Sequence, residues 1–421
     1  MKILFIANYY PPADNGLGYM QLCEEVAEGL NERGHEVLIL TSSQISGKDY
    51  QRDYPVFRLL SIDPDWESGQ SAAEQFFLGR RSREKQAIKY FRQIVNEHHP
   101  EVIFIWHAIG LPKSLLKEAE KTDNTTVVYY LADYQPEIGD EYINYWKGSP
   151  GNAMVGVLKW PLSQLALTML VREGKPIRLD YPHAICVSKY VRDRLVSGGY
   201  IPDTAVVIHN GVDLEEFSPP GNGRLIPEDK HLRCLVAGRI IPNKGIHTVV
   251  DAFSLLNMDT LPGKVSLTIL GDGPKDYLDL LKEKIHQHKL HEFIEIKSPV
   301  PRSQMPSILA EHEALILSSE YDEPLARSIQ EAMALELLVI GTVTGGSGEL
   351  LIHERTGLVF NPGDPKSLAE QIDLAARNPE LVDELRKAGR KEIEGHFNIQ
   401  RTVLEIEEYL MDLISGKIHR V

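Results

Sequence analysis

Residues 313–349 constrain the fold more than any other part of this 421-residue chain. The apolar runs 314–317 and 337–340 each predict a short buried strand. A helix is predicted over 324–335, because apolar residues recur every three or four positions and a proline suits the first helical position. A glycine-rich turn, 345–349, opens at the same sheet edge as the start of this helix. Helix N-termini favour anions, so this edge suits a ligand such as a diphosphate.

Two carboxylates frame the predicted helix. Glu323 lies just before it, and Glu331 lies about two turns inside it. Eight residues at about 100° each place the two roughly 80° apart around the helix axis, too far to share one proton. They can act as separate acceptors that hold vicinal hydroxyls of one ligand. The alternative is that Glu323 stabilises the helix dipole and Glu331 lies on a solvated face, and this spacing alone leaves both open.

The Glu323-x7-Glu331 spacing, followed by Ala-Met-Ala at 332–334, resembles the signature of the retaining glycosyltransferases of family 4, or glycosyl transferases group 1. The resemblance implies an α/β protein of the GT-B fold, with two doubly wound Rossmann-like domains facing across a cleft. It also implies a nucleotide-sugar donor, whose sugar hydroxyls contact Glu323 and whose ribose contacts Glu331. The phenylalanine-glycine pair that usually follows the first glutamate is here Leu325-Ala326, a departure at the sugar end of the site.

A second motif follows the predicted strand 232–237. Arg239 and Lys244 flank a loop between this strand and the next helix, an arrangement suited to a diphosphate. The family pattern G-R-x4-K-G is complete at 238–245, so the resemblance makes Arg239, Lys244 and Glu323 the catalytic candidates. The donor-binding candidates that the resemblance implies are Gly16, Gly18, Gly273, Val300, Leu325, Ala326 and Glu331.

The N-terminal 40 residues predict another strand–helix–strand unit. A loop over 8–18 joins the strand 2–7 to the helix 20–30. The loop lacks the complete G-x-G-x-x-G spacing, which argues against a dinucleotide-binding dehydrogenase. In the family, a glycine of this region approaches the donor diphosphate from the opposite domain, and Gly16 matches best, followed by Gly18.

Two predicted strands in this half end in polar residues. The strand 102–106 leads to His107, and the strand 127–131 leads to Asp133. Open α/β sheets bind ligands at such strand ends. Many family members carry His-Asp at the second position, where this chain has Ala132-Asp133. His107 and Asp133 are therefore the acceptor-side candidates, although a lone histidine is more often packed or hydrogen-bonded than bound to a ligand.

The resemblance spans nearly the whole chain and implies two domains. Residues 1–208 with 398–421 would form the N-terminal, acceptor-binding domain, to which the final helix returns. Residues 209–397 would form the C-terminal, nucleotide-sugar-binding domain. A glycine- and proline-bearing turn that begins at His209 suits a hinge between them.

Composition limits the partners. The net charge of −15 argues against nucleic acid, whose phosphates need a basic surface. Three cysteines in apolar settings indicate reduced thiols and a cytoplasmic protein, and a location at the inner face of the membrane stays open as an alternative. No apolar run approaches the length of a membrane span, so we expect peripheral membrane contact at most. The segment 154–170 predicts one or two amphipathic helices broken at Pro161; we favour packing on its own domain over contact with a membrane or a hydrophobic acceptor.

No metal or other cofactor is predicted. Asp63-Pro64-Asp65 resembles the D-x-D metal motif of the other large glycosyltransferase fold, but a proline turn is the favoured interpretation. Two cations at the diphosphate make a metal unnecessary.

These observations predict a retaining transferase that moves a hexose from a nucleotide-diphosphate sugar, with UDP favoured over GDP or ADP, to an acceptor hydroxyl. The acceptor would be a sugar or a lipid-linked sugar, in glycan, polysaccharide or glycolipid synthesis. The alternatives are a sugar-nucleotide epimerase of the same fold and a non-catalytic nucleotide-sugar-binding protein.

Overall fold

The computed structural model describes residues 1–13, 18–66, 70–149, 153–219 and 231–417, with the backbone alone for 153–158. The chain divides into two compact units. Unit 1 comprises Met1–Ile208 with Val403–Val421, and unit 2 comprises His209–Thr402.

Unit 1 is built on a seven-stranded parallel sheet in the order β3-β2-β1-β4-β5-β6-β7. The strands are β1 (Lys2–Ile6), β2 (Glu36–Ser42), β3 (Val56–Leu60), β4 (Val102–Ile105), β5 (Thr126–Leu131), β6 (Ala184–Cys186) and β7 (Val206–Val207). The helices that precede β7 are α1 (Gly18–Glu32), α2 (Ala72–Phe77), α3 (Arg80–His98), α4 (Lys113–Glu120), α5 (Glu141–Lys147), α6 (Ala153–Arg172) and α7 (Lys189–Ser197).

Unit 2 contains a six-stranded parallel sheet in the order β10-β9-β8-β11-β12-β13. The strands are β8 (Leu232–Ala237), β9 (Val265–Leu270), β10 (Ile294–Lys297), β11 (Ala314–Leu317), β12 (Leu338–Gly341) and β13 (Leu358–Val359). The helices after β8 are α8 (Ile246–Leu255), α9 (Lys275–Gln287), α10 (Met305–Ala310), α11 (Arg327–Ala334), α12 (Pro365–Arg377), α13 (Pro379–His396) and α14 (Ile399–Ile414).

The sheets form because their central strands are continuous apolar runs. Every residue of β4, β5 and β11 is buried, as expected for parallel strands covered by helices on both faces. The strand order of unit 1 begins 3-2-1-4-5-6, the order of Rossmann folds. The predicted α/β class with two Rossmann-like sheets is confirmed.

The helix predicted over 324–335 begins later than expected. The prediction that Pro324 occupies its first position is wrong, since α11 starts at Arg327 with Ala326 as its N-cap. Glu323 instead forms an isolated parallel bridge with Gly345, and its carbonyl accepts the N–H of Gly346 at 2.7 Å. Glu323 therefore lies in an extended segment, and the helical angle between it and Glu331 does not apply.

Pro161 does not break its helix, contrary to the prediction. The single helix α6 runs through it, because Ser163, Ala166 and Leu170 form a buried face that outweighs the lost backbone hydrogen bond. Ala166 and Leu170 join a small cluster with Phe76, Tyr142 and Trp146. The opposite face leaves apolar residues in solvent, with exposed fractions of 68% at Trp160, 53% at Leu165 and 72% at Val171. Within the described ranges no helix is both long and apolar enough to cross a bilayer.

The C-terminal part of α14 is anchored in unit 1 by a charged contact. Glu407 accepts hydrogen bonds from Arg33 at 2.6 Å and pairs with His35 Nε2 at 2.7 Å. All three cysteines are free and buried, and burial raises the pKa of the Cys186 thiol to about 12.

Candidate active site

The loop after β8 packs closely against the end of β11, and a glycine makes this packing possible. Gly245 has a φ of +63° and precedes α8 directly. A Cβ added there would lie 2.1 Å from the carbonyl oxygen of Ser318, so only glycine allows the loop to pack against the end of β11. Ser318 in turn donates its hydroxyl to the Lys244 carbonyl at 2.7 Å. These contacts fix the backbone of Lys244.

The turn after β9 approaches the same loop closely. A Cβ on Gly273 would lie 1.8 Å from the carbonyl oxygen of Ile240. Ile240 is fully buried and donates its N–H to the Asp272 carbonyl at 2.7 Å. The loops that follow β8 and β9 therefore form one rigid wall at the carboxyl edge of the sheet, where α/β sheets bind ligands.

Lys244 and Glu323 form an ion pair on this edge. Lys244 Nζ lies 2.6 Å from Glu323 Oε1, and the Glu323 carboxylate is almost completely buried. The hydroxyl of Ser319 donates to the same oxygen, and Tyr321 donates to Glu323 Oε2 at 2.7 Å. Buried carboxylates need such partners, because desolvation disfavours the charged form. The contacts fix the Glu323 side chain before any ligand binds.

Arg239 and Lys244 line one pocket of unit 2, with an empty volume of about 330 Å³. Three hydroxyl side chains, Ser318, Ser319 and Ser328, line it as well. Arg239 is exposed, and its guanidinium makes no hydrogen bond or ion pair with the residues that the structure describes. Ser328 belongs to the first turn of α11, so a helix N-terminus opens here. Two cations, hydroxyl donors and a helix N-terminus together suit a diphosphate.

Glu331 is also buried and paired. Its Oε1 accepts a hydrogen bond from Arg302 at 2.6 Å, and Arg327 Nε lies 3.8 Å from the same oxygen. The guanidinium of Arg302 lies over the Phe217 ring, 4.9 Å from its centroid. The prediction of a solvated Glu331, left open as the alternative, is wrong, since only 5% of the residue is exposed. Arg302 orients this carboxylate.

In unit 1 the structure brings both acceptor-side candidates together. His107 Nε2 lies 2.7 Å from Asp133 Oδ2, and the His107 ring stacks on Tyr19 with 3.8 Å between ring centroids. Asp133 also accepts the backbone N–H of Gln135 at 2.8 Å. Because Nε2 faces a carboxylate, we assign the ring proton to it. Nδ1 is buried and has no hydrogen-bond partner within the described part of the chain.

The remaining candidates are less fully placed. Leu325 and Ala326 are buried immediately before α11, and Val300 is half-buried before α10. Gly18 is the exposed first residue of α1, and Gly16 lies outside the described residues.

The two aspartates of the D-x-D-like stretch have partners within the protein. Asp63 pairs with Arg83 at 3.0 Å and accepts a hydrogen bond from Tyr142, and Asp65 accepts one from Gln44 at 2.8 Å. Among the residues described, no cluster of three or more histidine, cysteine, aspartate or glutamate side chains is arranged to hold a metal ion.

Two family models match the chain, one for each unit. The model described as Glycosyltransferase Family 4 matches residues 21–216, and the one described as Glycosyl transferases group 1 matches residues 224–392. The chain belongs to glycosyltransferase family 4. Members of this family are retaining glycosyltransferases that use nucleotide-sugar donors and need no metal ion. This family 4 enzyme therefore transfers a sugar from a nucleotide-sugar donor.

Relatives agree with this assignment. The putative glycosyltransferase YtcC of Bacillus subtilis is 27% identical over 74% of this chain and 79% of its own length. Sucrose-phosphate synthase from Thermosynechococcus elongatus is 17% identical, with a TM-score of 0.73 over 99% of both chains. HepE of Anabaena, solved in complex with UDP-glucose, is 19% identical, with a TM-score of 0.66 over 98% of this chain and 100% of its own. These structures establish the GT-B fold.

Several side chains of this family 4 enzyme escaped the sequence analysis. Ser319 and Tyr321 lie close to Glu323 in sequence, so polar residues after a strand end could have indicated them. Arg302 precedes Glu331 by 29 residues, and no local pattern connects the two.

Proposed function

We propose that this enzyme transfers a hexose from a UDP-sugar to a hydroxyl of a sugar or lipid-linked sugar, in the synthesis of a glycan, polysaccharide or glycolipid. The observation that carries this proposal is the pocket shared by Arg239 and Lys244 beside the buried Glu323. UDP is the preferred nucleotide because HepE, which shares the fold, was solved with UDP-glucose.

Departure of UDP is the demanding step. The bond between the sugar C1 and the diphosphate oxygen breaks, and negative charge grows on the leaving phosphate. Arg239, Lys244 and the N-terminus of α11 stabilise that charge, with the backbone at Leu325 and Ala326 beside it. The acceptor oxygen bonds to C1 on the same face, and its proton passes to the leaving phosphate oxygen. The configuration at C1 is thereby retained.

The ion pair of Lys244 with Glu323 is compatible with this role. A lysine ammonium has three donor hydrogens, so Nζ can keep its bond to Glu323 while it donates to a phosphate oxygen. Glu323 orients the sugar hydroxyls, and Glu331, held by Arg302, accepts from the ribose. Fixed geometry supplies much of the rate enhancement, and no general base is required.

Unit 2 is the donor-binding unit in this proposal, with Gly273 in its wall and Val300, after β10, as a further donor contact, and unit 1 binds the acceptor. His107 and Asp133 form the polar pair at the strand ends of unit 1. The family resemblance also assigns Gly16 and Gly18 to the donor diphosphate, and this remains part of the proposal.

We also propose that the enzyme works in the cytoplasm, with membrane contact limited to its surface. The exposed Trp160, Leu165 and Val171 of α6 would make that contact. Sedimentation with phosphatidylglycerol vesicles tests this, and a Trp160→Ser variant that pellets as well as the wild type would contradict it.

Calorimetric titration with UDP-glucose, GDP-mannose and ADP-glucose tests the donor assignment. We expect UDP-glucose to bind and Lys244→Ala to raise its Kd by about 10- to 100-fold, the loss expected for one charge-assisted hydrogen bond or slightly more. Lys282→Ala, which removes the same charge from an exposed position of α9, serves as the control. If none of the three donors binds, or if Lys244→Ala binds UDP-glucose as tightly as the wild type, the proposal fails.

A second readout separates transfer from mere binding. NMR of the product should show the same anomeric configuration as the donor sugar. UDP-glucose that binds without any hydrolysis or transfer would instead favour a non-catalytic protein. A product epimerised at C2 would identify an epimerase.

A further inference from the structure

A second pocket lies entirely within unit 1, at the carboxyl edge of its sheet. Segment 108–113, after β4, and segment 138–142, after β5, form two of its walls. The empty space between its atoms is about 740 Å³, part of it open to solvent. Ala108, the residue after His107, lines it and donates its N–H to Gln135 at 3.0 Å. The pocket is therefore adjacent in sequence to the polar pair of unit 1.

Most charged side chains that line this pocket are neutralised by neighbours. Glu84 pairs with Lys175 at 2.7 Å, and Asp63 pairs with Arg83 at 3.0 Å. Three lining residues differ, since they form no ion pair within 4 Å among the residues described: Lys113, Asp140 and Glu141.

Lys113 and Glu141 contact only neutral groups. Lys113 Nζ donates to the Ile138 carbonyl at 2.8 Å. Glu141 Oε1 accepts the N–H of Gly110 at 3.0 Å, and its Oε2 accepts a long hydrogen bond of 3.4 Å from the Trp66 indole. Burial lowers the pKa of Lys113 and raises the pKa of Glu141. The two charges attract each other only from beyond ion-pair distance, and a partly desolvated charge without a counter-ion in contact destabilises the folded chain. Two such charges of opposite sign in one pocket, each with unused hydrogen-bonding capacity, indicate a site built for a ligand.

The chemistry of the walls selects the ligand. Two carboxylates and one ammonium leave a formal charge of −1, which disfavours an anionic group such as a uronate or a phosphate. The hydroxyls of a neutral ligand suit both the carboxylates and the ammonium of the pocket, because a hydroxyl can donate to a carboxylate and accept from an ammonium. Apolar side chains complete the walls and can cover the C–H face of a sugar ring: Ile109, Leu111, Ile138, Leu179 and Tyr181.

We propose that this pocket binds the neutral, hydroxyl-rich sugar unit that accepts the transferred hexose, with Lys113, Asp140 and Glu141 as its polar contacts. The inference deepens the proposed function and rests on it, since it names the acceptor class of the same reaction. Asp140 keeps one oxygen for the N–H of Ile143 at the start of α5, so its second oxygen is the one that faces the sugar.

Saturation-transfer NMR with simple glycosides tests the pocket without any donor. We expect signals from methyl β-glucopyranoside or methyl α-mannopyranoside and a signal at least fivefold weaker from methyl glucuronide. Glu141→Gln and Lys113→Met should each weaken the neutral signal by threefold or more. Glu32→Gln and Lys121→Met make the same changes of charge at exposed positions and should leave the signal as in the wild type.

Three results would overturn the pocket assignment: no signal from any glycoside, a stronger signal from the glucuronide, or equal signals from the pocket variants and their controls. Glu141→Gln retains an oxygen acceptor for the N–H of Gly110, so we expect it to fold. Because the assay needs no nucleotide, it decides the pocket even if no nucleotide sugar binds, which is the result that would defeat the proposed function.

Discussion

In unit 2 the carboxylates near the pocket of Arg239 and Lys244 are paired within the protein, whereas in unit 1 two charged groups of the second pocket have no counter-ion within 4 Å among the described residues. Lys244 holds Glu323, and Arg302 holds Glu331. Lys113 and Glu141, by contrast, contact only neutral groups. The difference agrees with the two proposed substrates, because a diphosphate brings its own charge and a neutral sugar brings hydroxyls. In this proposal, the site in unit 2 recognises charge and the pocket in unit 1 recognises hydroxyl groups.

The rigid wall of unit 2 is expected to affect both the stability of the fold and donor binding. Gly273→Ala would place a Cβ 1.8 Å from the carbonyl oxygen of Ile240, so the loops after β8 and β9 must separate. We expect a loss of about 2–3 kcal/mol of stability, typical of overpacking, and UDP-glucose affinity at least tenfold weaker. Thermal unfolding and calorimetry measure the two effects. Gly395→Ala, in α13 with no atom near the added Cβ, is the control. A Gly273→Ala variant that binds like the wild type would show that this wall does not shape the pocket.

The Arg302–Glu331 pair predicts a smaller effect, confined to donor binding. Arg302→Gln removes the cation that orients Glu331 and leaves the diphosphate pocket intact. We expect the KM for UDP-glucose to rise about 10-fold, the loss of one charge-assisted hydrogen bond, with kcat nearly constant. Steady-state kinetics with varied donor measure this, with Arg355→Gln as an exposed control. An equal fall in kcat would instead place Arg302 at the reacting atoms.

His107 and Asp133 form a paired contact in unit 1, and variants of the two residues test whether this contact acts as one unit during transfer. Asp133→Asn and His107→Gln should each lower kcat/KM for transfer, by about 10-fold, within the range for a positioned polar group. The double variant should be no worse than the stronger single variant, because both changes break one contact. Effects that multiply would show that the two residues act independently.

The smallest expected effect is that of Glu141→Gln on stability, and it is a gain, whereas the variants above are expected to lose function. Because burial raises the pKa of Glu141, the folded chain binds this proton more tightly than the unfolded chain, and stability falls as the pH rises through that pKa. Glu141→Gln should therefore raise the Tm at pH 7.5, by a few degrees at most, and the gain should shrink toward pH 4. Scanning calorimetry at several pH values measures it, with Glu32→Gln for comparison. A lower Tm at neutral pH would show that the carboxylate stabilises the fold.

Local patterns predicted much of this molecule. The apolar run Ala314–Leu317 has the bounds of the strand it predicts, because a strand buried in a parallel sheet is continuously apolar. The strand predicted over Leu232–Ala237 also has the observed bounds, although Arg233 interrupts its apolar residues. The spacings that link Arg239 to Lys244 and Glu323 to Glu331 lie within single segments and are visible in the sequence. The structure places Arg239 and Lys244 in the lining of one pocket.

Long-range contacts explain what could not be predicted. Pro324 fails to start a helix because Glu323 bridges to Gly345, 22 residues later. Packing against Phe76 and Trp146 keeps α6 continuous through Pro161. The pocket of unit 1 escaped notice because Lys113 and Glu141 belong to different loops and neither loop contains a motif.

The most direct test of the donor site is the rate of UDP-glucose hydrolysis without acceptor, measured for Lys244→Ala beside Lys282→Ala. Lys244 contacts both the pocket and Glu323, so its removal should slow hydrolysis by at least about 100-fold, as for other groups that stabilise developing charge. Lys282→Ala should match the wild type. Equal rates for the two variants would contradict the assignment of this pocket to the donor diphosphate.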